Sequence, residues 1–330
     1  MRLIVAGTPA TALPVFDRLS QEHQIMAVLT RPPAPQGRSS RLVPSPVGQW
    51  AQARGIEVLT PSKLRDPEFV ALVRQLEPDC CPVVAYGGLI TQELLDIPRF
   101  GWINLHFSLL PAYRGAAPVQ RALLDGCART GVTVFRLVKA LDAGPVFLQR
   151  EVDVDPGETA GDLLERLSVL GAEAMAEVVE NLGRSDQPRE QRDQGVSLAP
   201  KVTADEARLT MGQSGDDIVR RVRAMSPDPG AWALLGSDRF KILRAAVVEG
   251  LEDAAGSDRF EILRSAGADG LQAAIGAEST PGSLWATKKA LYCRVGDGWI
   301  ELIHVVPSGK KPMSGAEWAR GAWKPGVRLA

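Results

Sequence analysis

The sequence predicts an α/β protein, a Rossmann-like domain with a mainly parallel sheet followed by a small β-barrel of the oligonucleotide-binding (OB) type. Three observations carry this. Apolar runs of strand length alternate with amphipathic helical stretches through the first half, and repeated β-α-β units imply parallel strands covered by helices. A polar, charged stretch, GRSDQPREQRDQG (183–195), then breaks the pattern with little to bury. Beyond it lie short β-rich runs punctuated by glycine, the pattern of a small barrel. A chain of 330 residues also exceeds the size at which single cores stop growing. We expect a first domain over 1–183, a linker over 184–204 and a second domain over 205–330.

RLIVAG (2–7) reads as the first strand and ATALPVFDRLSQE (10–22) as a helix; IMAVLT (25–30) is the second strand. A further cycle follows, with SPVGQWAQARG helical, IEVLT a strand, and DPEFVALVRQLEP a helix with Asp66 near its start. CCPVVAYG (80–87) is a buried strand, and WINLHFS and GVTVFRLV add two more around the helix APVQRALLDG. TAGDLLERLSVLGAEAMAEVVENL (159–182) is a long helix with Thr159 and Asp162 in capping-box spacing, which satisfies two orphan backbone donors reciprocally. In the second half SGDDIVRRVRAMS is a helix opened by Ser214 and Asp217, and AWALLG, RFKILRAAVV, GSLWAT, ALYCRVG and WIELIHVV are the barrel strands. SDRFKILRA (237–245) recurs as SDRFEILRS (257–265). One short repeat is no solenoid, so we read a local duplication and assign residues near 250–270 to an insertion.

The composition excludes several classes. It is 45% hydrophobic and 23% charged, ordinary for a globular domain, and no apolar run approaches the roughly 20 residues of a membrane span. MRLIVAGTPA is too short an apolar run for a signal peptide, so a cytoplasmic protein is expected, most simply a monomer. Four cysteines without C-x-x-C spacing suggest neither a disulfide framework nor zinc, and no metal is expected. A formal net charge of −1 argues against indiscriminate coating of nucleic acid while leaving room for a local basic patch.

The stretch GWINLHFSLLPAYRGAAPVQRAL (101–123) carries the chemistry. Strand side chains alternate faces, so Asn104, His106 and Ser108 are expected on one face, with Ile103, Leu105 and Phe107 packing on the other. Pro111 stops the strand and Gly115 permits a tight turn. Further on, Asp142 sits in an Asp-x-Gly turn just after a strand. An amide, an imidazole and a carboxylate at strand ends suit acyl transfer to an amine: Asn104 donates to a developing oxyanion, while His106 and Asp142 handle the proton.

INLHFSLLPAYRGAAPVQRAL resembles the signature of the folate-dependent formyltransferases, and its spacing to the Asp-x-Gly turn fits as well. The resemblance covers nearly the whole chain, through VAGTPA, PSPVGQWA, VVAYG, APKVTADEARL, PDPGAW and PSGKKPMSGAEWARG. The interdomain APK and the late GKKPMSG favour the branch acting on methionyl-tRNA. What the resemblance implies is transfer of formyl from 10-formyltetrahydrofolate to the α-amino group of methionine on initiator tRNA, with Asn104 and His106 holding the oxygen and Asp142 fixing His106. It further implies that Ser108, Leu109, Leu110 and Pro111 line the folate site, with Val84, Tyr86 and Leu89 near the pterin.

Basic residues supply the expected tRNA contacts. RPPAPQGRSSRLVPSPV holds arginines and no acid, and the resemblance points to Arg38 and Arg41 for phosphate or base contacts, with Lys201 at the interdomain APK. From Pro281 onward Lys288, Lys289, Arg294, Lys310, Lys311, Arg320, Lys324 and Arg328 outnumber Asp297, Glu301 and Glu317, so Lys310 and Lys311 join the candidates. An amino-sugar formyltransferase or a formyl-folate hydrolase would share Asn104, His106 and Asp142 and remains the alternative. A nucleotide-binding oxidoreductase lacks its G-x-G-x-x-G, and a serine hydrolase at Ser108 lacks its G-x-S-x-G elbow.

Overall fold

The protein was analysed as a computed structural model, which describes residues 1–35, 41–184, 187–248 and 280–330. Arg38, the second copy of the repeat and the 250–270 segment lie outside the described residues. The chain divides into two compact units. The first comprises Met1–Ala122, Ala128–Val154 and Leu163–Lys201; the second comprises Leu123–Cys127, Asp155–Asp162 and Val202–Ala330.

Up to residue 201 the elements are β1 (Arg2–Gly7), α1 (Leu13–Ser20), β2 (Gln24–Leu29), β3 (Ala34–Pro35), β4 (Leu42–Val43), α2 (Pro46–Ala53), β5 (Glu57–Leu59) and α3 (Pro67–Gln75). There follow β6 (Cys81–Val84), α4 (Gln92–Leu95), β7 (Trp102–His106), β8 (Arg114–Gly115), α5 (Pro118–Leu124), β9 (Arg129–Arg136), β10 (Val146–Asp153), α6 (Ala160–Asn181) and β11 (Leu198–Ala199). The main sheet has the order β10-β9-β7-β6-β1-β2-β5. From β7 to β5 it is parallel, and β9 and β10 add an antiparallel edge. The chain reverses its direction of travel between β1 and β6, and the carboxyl ends of strands beside such a switch are where open α/β sheets hold ligands.

Local chemistry sets the boundaries. Asp66 accepts from the Glu68 N–H at 3.2 Å and Ser45 from the Gly48 N–H at 2.9 Å, each filling an orphan donor of a helix that opens on proline. Thr159 and Asp162 form the expected reciprocal box, at 3.0 and 3.3 Å. The sequence reading missed β10, whose central residues Gln149, Arg150 and Glu151 are exposed, so no apolar alternation marks it. It missed α4 as well, since four residues are too few to show a helical period.

Described parts of the expected linker are hydrogen-bonded to the first unit. Arg189 bridges to Val146 through mutual backbone bonds of 2.7 and 2.8 Å, and β11 pairs in parallel with β8.

The second unit contains α7 (Gly215–Met225), β12 (Ala231–Leu235), β13 (Asp238–Val247), β14 (Leu284–Ala286), β15 (Leu291–Arg294), β16 (Trp299–Val306), β17 (Met313–Ser314) and α8 (Gly315–Ala322). The strands form an antiparallel sheet in the order β12-β13-β16-β15-β14, with β17 on β16. The final residues join its two edges: Leu234 and Ala330 exchange bonds of 2.7 and 2.8 Å, Leu329 donates to the Gly282 carbonyl at 2.8 Å, and Leu284 donates to the Val327 carbonyl at 3.2 Å. The sheet is therefore a curled half-barrel closed by the C-terminal segment, in keeping with the expected OB-like architecture. Its core holds Ile218, Val222, Phe240, Ile242, Leu302 and Trp318. Among the described residues no helix is long and apolar enough to cross a membrane.

Candidate active site

Strand β7 has two faces with different duties. Leu105 points at α6, where a Cβ on Gly171 would lie 2.4 Å from its Cδ2. On the opposite face Trp102 packs among Phe69, Val70 and Leu94 and donates Nε1–H to the Leu94 carbonyl at 2.7 Å. Asn104 and His106 continue the Trp102 row past the core to the carboxyl end of the sheet. There they line a cleft of about 470 Å³ together with Val83, Tyr86, Leu89 and Asp142. A hollow of about 540 Å³ around Arg74, Asp79, Glu93 and Arg99 contains the exposed Arg74–Glu93 ion pair and no comparable convergence of catalytic groups.

His106 is 5% exposed. Its Nε2 lies 2.8 Å from the Tyr113 carbonyl, which only accepts, so Nε2 carries the hydrogen and the neutral ring keeps its lone pair on Nδ1. Nδ1 faces Asp142 Oδ2 at 3.8 Å, longer than a hydrogen bond and an ion pair only once the ring is protonated. Burial pushes the imidazole pKa down, and the Asp142 charge and the Tyr113 carbonyl offset only part of that. The result is a neutral histidine beside a carboxylate, with a basic nitrogen available. Asp142 stands at φ +45°, a left-handed conformation that aspartate tolerates better than most residues, and its Oδ2 accepts from the Gly115 N–H at 2.8 Å.

The alternation expected to run through Ser108 ends at His106, where the strand stops. Ser108 is fully buried and donates to the Ala112 carbonyl at 2.6 Å. Thr133 Oγ1 donates to the Ser108 carbonyl at 2.6 Å and accepts from the Leu110 N–H at 3.1 Å; Gln149 donates to the Leu110 carbonyl at 2.8 Å. The segment Ser108, Leu109, Leu110 and Pro111 thus builds the loop that sets the Tyr113 carbonyl on His106, and none of the four is in the cleft wall. Val84 is absent from the wall too. It pairs with Leu105 while Val83 pairs with Asn104, so Val83 shares the face of Asn104. Of the expected pterin neighbours, Tyr86 and Leu89 line the cleft; Tyr86 is buried, and Leu89 is 79% exposed at the rim.

The basic candidates stand on surfaces. Arg41 and Lys201 are exposed on the first unit, and Lys310 and Lys311 are exposed in a turn of the second.

Sequence reasoning missed the groups that hold the site: the Tyr113 carbonyl, the Gly115 N–H, and Thr133 and Gln149. Gly115 was visible as a turn residue. Its φ of +130° and the 2.6 Å that would separate an added Cβ from the Ala199 carbonyl show that it also lets β11 pass.

The chain matches the family model described as formyl transferase over residues 1–179 and the formyl transferase C-terminal domain over 201–322. A protein of Thermobifida fusca named methionyl-tRNA formyltransferase is 45% identical over 324 residues, covering 98% of this chain and 96% of the relative. Among solved structures, methionyl-tRNA formyltransferase from Clostridium thermocellum superposes with a TM-score of 0.55 at 15% identity, over 76% of this chain and 95% of that one. HypX from Aquifex aeolicus in complex with tetrahydrofolic acid superposes at 0.62 with 17% identity, covering all of this chain, which spans 50% of that protein.

Proposed function

Because the chain belongs to the formyl transferase family, in the branch of its methionyl-tRNA relatives, we propose that it transfers the formyl group of 10-formyltetrahydrofolate to the α-amino group of methionine on initiator methionyl-tRNA, in the cytoplasm and for translation initiation. One observation carries the mechanism: the Asn104 carboxamide, a neutral His106 and the Asp142 carboxylate share one cleft at the carboxyl ends of β6 and β7.

An α-amino group has a pKa of roughly 8, so a useful fraction is neutral near pH 7 without a strong base. The costly event is charge separation after attack on the formyl carbon. With the His106 N–H engaged by Tyr113, Asn104 is the donor for the developing oxyanion, a role worth about 3–4 kcal/mol in comparable sites. The Nδ1 lone pair of His106 takes the proton from the attacking nitrogen, and Asp142 stabilises the imidazolium. As the carbon–N10 bond of the donor breaks, the imidazolium returns that proton to N10. The residues that would hold the folate are Tyr86 and Leu89 of the cleft wall. Arg38 and Arg41 would meet the tRNA through its phosphates or bases, and Lys201, Lys310 and Lys311 would add positive charge for it.

The test is formyl transfer by the purified chain with 10-formyltetrahydrofolate and charged initiator tRNA, followed as formylmethionine released from the tRNA. Formyl appearing instead on an amino-sugar nucleotide, or only as free formate, would overturn the reading in favour of the alternative acceptors.

A further inference from the structure

We propose that Gln191, in the stretch the sequence marks as a linker, is a positioning residue that holds the Asp142 turn and the Arg114–Gly115 strand in register for formyl transfer. Its carboxamide uses its whole hydrogen-bonding capacity on these two segments. Nε2 donates to the carbonyls of Asp142 and Gly144, each at 2.8 Å. Oε1 accepts from Arg114 Nε at 3.2 Å and Nη2 at 2.7 Å. The next residue along, Gly115, gives its N–H to Asp142 Oδ2, so one side chain closes a ring through the backbone of both partners.

The turn needs such a hold. Asp142 has a positive φ, Leu141 before it is 61% exposed, and the Ala143 N–H to Ala140 carbonyl bond is long at 3.4 Å. Gly144 lies against the Arg136 backbone, where an added Cβ would collide with its carbonyl. Side chains whose own partners are fixed keep reacting groups within the tolerance that catalysis demands, and a displacement near 1 Å can cost on the order of 100-fold. Gln191 acts through Asp142 and touches no reacting atom.

The inference rests on the assignment of Asp142 to formyl transfer, and the experiment separates the two. Wild-type formylation of methionyl-tRNA is measured first; its absence sinks the functional reading alone. Gln191→Ala is then expected to lower kcat by roughly 10–100-fold, with each KM within about threefold and with faster amide exchange across peptides covering 112–117 and 140–146. In an Asp142→Asn background the same change should cost less than about threefold, because residues acting through one group are not additive. Gln191→Glu keeps the acceptor for Arg114 and loses both donors, so it should be as slow as Gln191→Ala with a retained melting temperature. Equal losses in both backgrounds, a change confined to KM, a fast Gln191→Glu enzyme or unaltered amide exchange would each overturn the proposal. The exchange readout stands whatever the formyl acceptor proves to be.

Discussion

Replacing Gly115 by alanine probes whether β11 seats the catalytic loop. The new Cβ would stand 2.6 Å from the Ala199 carbonyl oxygen and 3.1 Å from its carbon, against the roughly 3.3–3.6 Å at which a carbon and a carbonyl oxygen normally touch. Backbone rather than a side-chain tip is in the way, so β8 and β11 must part by about 0.7 Å or more. Overpacking of this kind costs about 1–3 kcal/mol, and a β-carbon at φ +130° adds about 1–3 kcal/mol. The separation threatens two bonds at once, Ala117 N–H to the Ala199 carbonyl at 3.1 Å and Gly115 N–H to Asp142 at 2.8 Å. At about 2–4 °C per kcal/mol for a unit of this size, the melting temperature should fall by at least about 4 °C. With Asp142 unseated, kcat should fall roughly 10–100-fold. Gly195→Ala is the control: its φ is +86° with nothing within 4 Å, so it reports backbone strain without the collision. Melting scans and initial rates on both variants decide the matter. A Gly115→Ala enzyme as stable and active as Gly195→Ala would refute the claim that the strand pairing seats Asp142.

Three further outcomes are expected. Asn104→Ala should reduce the single-turnover rate about 100–1,000-fold with little change in donor affinity; a loss below about fivefold would remove Asn104 from the oxyanion role. In a pH titration by NMR the His106 ring should protonate below the ordinary histidine value of about 6.5, and Asp142→Asn should lower the midpoint further, because the carboxylate raises it. Since the native ring resists a proton that the unfolded chain accepts, this residue withdraws stability as pH falls below about 6.5; a midpoint above 6.5 would contradict the burial argument. Lys310→Ala and Lys311→Ala should each raise KM for tRNA, leave kcat unchanged, and reduce the logarithmic salt slope by about one, whereas an unchanged slope would take these lysines off the phosphates.

The sheet was legible because strands buried on both faces are written as runs such as RLIVAG and CCPVV, which no other element of that length explains. Asn104 and His106 were legible because a strict two-residue period places them on one face. Ser108 was misplaced by the same rule, since periodicity does not announce where a strand stops. Residues that act through backbone groups left weaker marks. Tyr113 meets His106 through its backbone carbonyl, and Thr133 and Gln149 look like ordinary strand polar residues. Nothing around Arg189 and Gln191 marks their hold on the first unit, because it is made of hydrogen bonds and carries no apolar pattern.

The seam at residues 327–330 has a consequence for solubility. Strands with unpaired amides recruit further strands from other chains, and here a single short tail screens both rims of one half-barrel. Clipping those few residues would create two adhesive borders in one event. The loss would show first as self-association, before any loss of chemistry in the cleft of the first unit.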